Sequence, residues 1–217
     1  MKKHIPNIIT LGNLSCGIVA VMMAYEGCFE QALWFVVGGV LFDFFDGMAA
    51  RLLGVSSAMG KELDSLADMV TSGMVPGMVA YKMIGGNLAY IGFLITLFSA
   101  LRLAKFNIDE RQHESFIGLA TPANALFWLG MAVGFGEMIP VWALVTLTVL
   151  SSWLLVSPIP MFSLKFKEYG LKNRINVVRY VFLLLSLGLL IAFGYRGLSM
   201  VIVLYVLISA GMAIYEK

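Results

Sequence analysis

Four aspartates, Asp43, Asp46, Asp64 and Asp68, stand at the ends of two otherwise apolar segments, in the run DFFDGMAARLLGVSSAMGKELDSLAD. A central Asp in a membrane span costs about 2.5–3.5 kcal/mol on insertion scales. Clustered carboxylates also repel one another. Cations must neutralise such a group, so these residues point to a metal site inside a membrane protein. Four hard oxygen ligands suit Mg2+ or Mn2+ better than a soft metal. No Cys or His stands near them to suggest zinc. Two divalent ions about 4 Å apart are a common way to hold a diphosphate and stabilise its leaving group. The rival readings are a polar contact between helices and a cation or proton relay in a transporter.

The spacing gives these residues a shared direction. Positions 43, 46, 47, 50 and 51 follow the i, i+3, i+4, i+7, i+8 pattern of one helix face. Asp43 and Asp46 therefore project together, with Gly47 and Ala50 leaving room beside them and Arg51 adding a positive charge near the membrane surface. Gly60, Asp64 and Asp68 are spaced by four, again on one face. Two such helices at ordinary packing distance are expected to bring all four Asp together.

The elements that must hold these residues are membrane spans. The chain has 217 residues, 60% of them hydrophobic and 13% charged, with a mean hydropathy of +0.89. A soluble domain does not have this composition, and nothing in it suggests nucleic-acid binding. A span needs about 20 apolar residues. Eight candidates emerge: Ile8–Tyr25, Gln31–Leu53, Glu62–Tyr81, Ala89–Lys105, Pro122–Gly136, Val141–Val156, Val177–Phe193 and Leu198–Ile214. They consume nearly the whole chain, so residues 1–217 are read as one all-α, membrane-embedded domain. The N-terminal apolar run is as long as a span, carries Thr10 and Asn13, and lacks a clear cleavage site, so it is not read as a signal peptide. Cys16 and Cys28 give no disulfide framework.

Eight spans put both termini on one side. Thirteen of the 15 Lys and Arg then fall on that side, leaving Lys82 and Arg196 on the other. The positive-inside rule makes the terminal side cytoplasmic, and both Asp pairs lie in the cytoplasmic half. The stretch Ser157 to Asn176, with Lys165, Lys167, Lys172 and Arg174, reads as a basic loop touching anionic headgroups.

The acidic run matches a known signature residue for residue. It resembles the CDP-alcohol phosphatidyltransferases, in which D-x-x-D-G-x-x-A-R is followed after eight residues by G-x-x-x-D-x-x-x-D. Here those positions are Asp43, Asp46, Gly47, Ala50, Arg51, Gly60, Asp64 and Asp68. The resemblance implies a helical membrane bundle that moves a phosphatidyl group from a CDP-lipid to an alcohol and releases CMP. It implies that Asp43, Asp46, Asp64 and Asp68 bind two divalent metals, Mg2+ or Mn2+. Gly47, Ala50 and Gly60 would admit the cytidine, and Arg51 would contact the nucleotide. Asp68 would also be the base, taking the acceptor proton as attack proceeds.

Further on, RLAKFN (Arg102 to Asn107) and FIGLATPA (Phe116 to Ala123) resemble the phosphatidylserine synthase branch of that family, as does the opening PNIITLGNLSCG. Ala120 stands where that branch usually has Pro. The branch implies CDP-diacylglycerol and L-serine as substrates, a homodimer, and a prokaryotic cell membrane with the active site facing the cytoplasm. Serine needs a cation for its carboxylate. Arg102 or Lys105 could supply it, although both also serve as topology charges. Asn107, Asn124 and Asn13 are candidate polar contacts, with helix caps and interhelix hydrogen bonds as rivals. Glycerol 3-phosphate or inositol phosphate is the alternative acceptor. His4 and His113 offer no H-x-K arrangement, so direct displacement is expected. The pairs Gly73–Gly77 and Gly130–Gly134 suit close helix packing.

Overall fold

The structure, a computed structural model, describes residues 4–55, 57–108, 116–163 and 174–215. Lys2, Lys3, Arg111, His113, Lys165, Lys167, Lys172 and Lys217 lie outside them. Helices dominate. Helix α1 (Ile5–Glu26) begins with Pro6 in its first turn, where a missing N–H costs nothing. It ends at Gly27, whose φ of +86° only glycine adopts freely. Helix α2 (Phe29–Leu53) returns beside it and stops at Gly54, again left-handed. Helix α3 (Ala58–Asp68) starts on Ser57, whose hydroxyl accepts the Gly60 N–H at 2.9 Å. The eight residues between Arg51 and Gly60 thus include the end of α2, its Gly54 stop, the Ser57 cap and the first two residues of α3.

Past Asp68 the helix widens into a π-helical stretch, Met69–Met74, before α4 (Val75–Ile84). Pro76 supplies the reason. Its ring crowds the carbonyl four residues back, and the wider turn sits just there. Then follow a 3-10 stretch (Gly86–Phe93) and α5 (Leu94–Ile108), α6 (Thr121–Phe135), α7 (Val141–Val156), α8 (Arg174–Phe193) and α9 (Tyr195–Tyr215). One departure from an all-helical chain is a two-residue antiparallel pairing of β1 (Phe116–Ile117) with β2 (Pro160–Met161). It closes the two loops on one another.

The surface is apolar, and the interior sets small and polar side chains among a core that includes Trp128, Ile95 and Leu129. Trp34, Leu184, Ile191 and Leu207 are exposed, whereas Thr10, Asn13, Ser99, Asn124 and Thr148 are buried. That is the arrangement of a protein solvated by lipid, and the chain is an all-α membrane protein. Among the described residues, five helices are long and apolar enough to cross a bilayer: Ile5–Glu26, Phe29–Leu53, Gly86–Ile108, Ile175–Phe193 and Tyr195–Tyr215. The other three expected spans do form helix, but α6 and α7 have only 15 and 16 residues. The third is the acidic run from α3 to α4.

Glycines set the close approaches. A Cβ at Gly17 would lie 3.0 Å from the Thr71 Cα, and one at Gly39 would lie 2.7 Å from the Thr71 Cγ2. Helices α1 and α2 therefore both seat against the π-helical stretch at Thr71. A Cβ at Gly134 would lie 2.9 Å from the Arg196 Cα, and Gly130 meets Ser199 as closely. Gly73 meets Ser99, and Gly77 meets Thr96. Both small-residue pairs found in the sequence are thus spent on contacts within the chain.

Candidate active site

The two helix stripes converge as the spacing requires, with one exception. Asp43 from α2 and Asp64 and Asp68 from α3 each bring a carboxylate oxygen within 4.8 Å of the others. Asp46 does not join that trio. It is buried, and its Oδ2 accepts a hydrogen bond from the Thr10 hydroxyl of α1. The reason is rotational. Asp46 lies almost a turn beyond Asp43 on α2, on the side where α1 rather than α3 packs. The sequence leads one to expect all four Asp together; in the structure three carboxylates converge and Asp46 is held alongside by α1.

A cavity of about 290 Å3 opens beside the trio. Asp46, Gly47, Ala50, Gly60 and Asp64 line it, and so do Asn7, Thr10, Ser57 and Lys61. Gly47 has open space where a Cβ would go. Its lack of a side chain serves no packing purpose and leaves the backbone approachable. Arg51 is exposed and is not part of the cavity lining. It stands in the last turn of α2.

The other candidates separate clearly. Arg102 is buried, within electrostatic range of Asp68, with its guanidinium 5.4 Å from the Phe106 ring centre and its Nε without a hydrogen-bond partner. Lys105 is exposed. Of the two cations, only Arg102 is placed to meet a ligand near the trio. Asn107 is used as a brace. Its side-chain amide donates to the Ser65 hydroxyl at 2.8 Å, and its backbone carbonyl accepts from Lys61 Nζ at 3.0 Å. Asn13 donates to Asp68 Oδ1 at 3.3 Å and accepts from Thr71 Oγ1 at 2.8 Å. Its side chain is an interhelix bond and is not free for an acceptor. Asn124 is fully buried, and neither of its amide atoms has a partner.

The donor set fits a hard divalent cation. It is all carboxylate, the oxygens are within coordination reach of a shared centre, and Asp64 Oδ1 is buried without any partner. Arg102, within electrostatic range of Asp68, is one positive charge against three carboxylates. Sequence reasoning missed Thr10, Thr71, Ser65 and Lys61 as parts of this site. Thr10 and Asn13, three apart on one face of an apolar span, were a usable signal. Thr71 was not, since a threonine in such a helix can bond its own backbone.

Comparison with known proteins decides the family. The profile of the CDP-alcohol phosphatidyltransferases matches residues 3–156. The chain belongs to that family. The match covers α1 to α7 of this CDP-alcohol phosphatidyltransferase and includes all four Asp and every other residue of the signature. Its relatives include the CDP-diacylglycerol–serine O-phosphatidyltransferase of Bacillus subtilis, 44% identical over 124 residues, which are 55% of this chain and 70% of that protein. The enzyme of the same name from Helicobacter pylori is 38% identical over 127 residues, 56% of this chain and 54% of the relative. The Mycobacterium bovis one is 34% identical over 173 residues, 72% of this chain and 60% of the relative. The aligned part thus spans little more than half of the latter two.

Proposed function

We propose that this protein transfers a phosphatidyl group from CDP-diacylglycerol to L-serine, giving phosphatidylserine and CMP by direct displacement. The observation that carries the reading is the convergence of Asp43, Asp64 and Asp68 beside a cavity left open at Gly47. The names of the relatives support serine as acceptor.

In this reading the divalent ions, Mg2+ or Mn2+, would be held by Asp43, Asp64 and Asp68, with Asp46 completing the set for a second ion. When bound they neutralise the diphosphate and the leaving CMP. The cytidine lies against Gly47, Ala50 and Gly60, where no side chain intrudes. Asp68 accepts the serine hydroxyl proton as the oxygen attacks the phosphorus. Arg102 takes the serine carboxylate. A buried guanidinium with an unpaired Nε is a strong site for one. Residues 1–217 form one domain with eight spans, both termini and the active site on the cytoplasmic side of a prokaryotic membrane. The short α6 and α7 complete their crossings through local thinning of the bilayer. The working form is a homodimer.

The test is CMP release by the purified chain against a panel of alcohols, with the configuration at phosphorus followed in the product. Serine-dependent release with inversion is expected. Release with glycerol 3-phosphate or inositol phosphate but not serine would sink the acceptor assignment, and net retention would sink direct displacement. Asp68→Asn is expected to abolish transfer while leaving CDP-lipid binding largely intact.

A further inference from the structure

Helix α1 contributes no aspartate, yet it touches two of them. Thr10 and Asn13 are three residues apart on one face of α1, and both are buried, at 3% and 1% exposure. The Thr10 hydroxyl has one proton and two acceptors in reach, the Pro6 carbonyl and Asp46 Oδ2. The Pro6 carbonyl lies within the helix ladder, and an ionised carboxylate is the stronger acceptor, so the proton goes to Asp46. Asn13 is itself fixed. The Thr71 hydroxyl donates to its Oδ1, which turns the amide NH2 toward Asp68. Gly17 and Gly39 leave no slack around Thr71.

We propose that α1 sets the geometry of the acidic centre through two positioning residues: Thr10 fixes Asp46 from α2 and Asn13 fixes Asp68 from α3. This rests on the function proposed above. A carboxylate has two oxygens and about four lone-pair sites. Tying one oxygen to α1 leaves the other aimed at a cation, and it locks rotation about the carboxylate. Asp46 and Asp68 come from different helices, and α1 touches both side chains, so it can hold them in register. The two contacts differ in consequence. Asp46 acts in holding cation and nucleotide, whereas Asp68 also takes the proton. Loss of Thr10 therefore acts on binding alone, and loss of Asn13 acts on binding and turnover.

The experiment uses the full chain in lipid nanodiscs with Thr10→Val, Thr10→Ser and Asn13→Ala. Each is measured for Mn2+ binding by the loss of the free-ion paramagnetic resonance signal, for CMP release, and for thermal unfolding without metal. Asn13→Ala leaves the Thr71 hydroxyl the Asn13 backbone carbonyl as acceptor, 3.2 Å away, so it folds. Thr10→Val and Asn13→Ala are each expected to weaken Mn2+ binding about 10–100-fold, the usual effect of removing a partner that orients a ligand. Saturating Mn2+ restores kcat in Thr10→Val but not in Asn13→Ala. Thr10→Ser keeps the hydroxyl and binds Mn2+ like the parent, and the metal-free unfolding temperatures match. Parent-like Mn2+ affinity in both truncations overturns the proposal, as does a Thr10→Ser as weak as Thr10→Val. A parent protein that neither binds Mn2+ nor releases CMP overturns the underlying function instead.

Discussion

Neutralising one carboxylate of the trio should make the metal-free protein more stable and the metal-loaded protein less so. Asp64→Asn keeps the shape and removes one charge. At 4.8 Å and an effective dielectric of 20, two unit charges repel by about 3.5 kcal/mol. The substitution deletes two such pairs, about 7 kcal/mol before screening with 4.8 Å as the outer limit of the separations. The three groups are half-buried, so water and counter-ions screen much of it, and we expect about 1–3 kcal/mol. For a chain of this size that raises the unfolding temperature by roughly 2–10 °C. In Mg2+ or Mn2+ the order reverses. A cation at a hundred times its Kd stabilises the parent by about 2.7 kcal/mol, and the variant forgoes most of that. The assay is a thermal-shift titration in detergent, run in chelator and across a Mn2+ series. A crossing of the two stability curves supports a shared cation site. An Asp64→Asn protein that is less stable than the parent in chelator refutes the reasoning, because the carboxylates would then not be repelling one another.

Two other substitutions probe the neighbourhood. Gly47→Ala meets open space and improves helix propensity by about 1 kcal/mol, so it should raise the unfolding temperature while raising the KM for CDP-lipid; unchanged KM would remove Gly47 from the nucleotide cavity. Gly134→Ala should do the opposite. Its Cβ would lie 2.9 Å from the Arg196 backbone, and the overpacking is expected to cost about 1–3 kcal/mol, read as a lower unfolding temperature with the Mn2+ affinity of the surviving protein unchanged.

The sequence by itself determined the chemistry of this protein. Hydropathy made it a membrane protein, because nothing else in so apolar a chain can be solvated by water. The fixed spacing of Asp43, Asp64 and Asp68 put them on helix stripes that do converge, since helical period is a local property. Local signals also placed Gly54 and Ser57 at the turn between those helices. Span count was less legible. Apolar runs marked eight expected spans, but α6 and α7, at 15 and 16 residues, are shorter than a bilayer crossing usually needs. What only the tertiary structure decided is which stripe faces which neighbour. A one-helix pattern could not tell that α1 lies against Asp46, that Arg51 turns outward, or that Asn107 braces α3 instead of waiting for a substrate. It could not separate Arg102 from Lys105, two cations three residues apart with opposite burial. Those outcomes depend on the rotation of each helix against its partners, fixed by close approaches at Gly17, Gly39 and Thr71 from three different elements. No stretch of sequence contains all three.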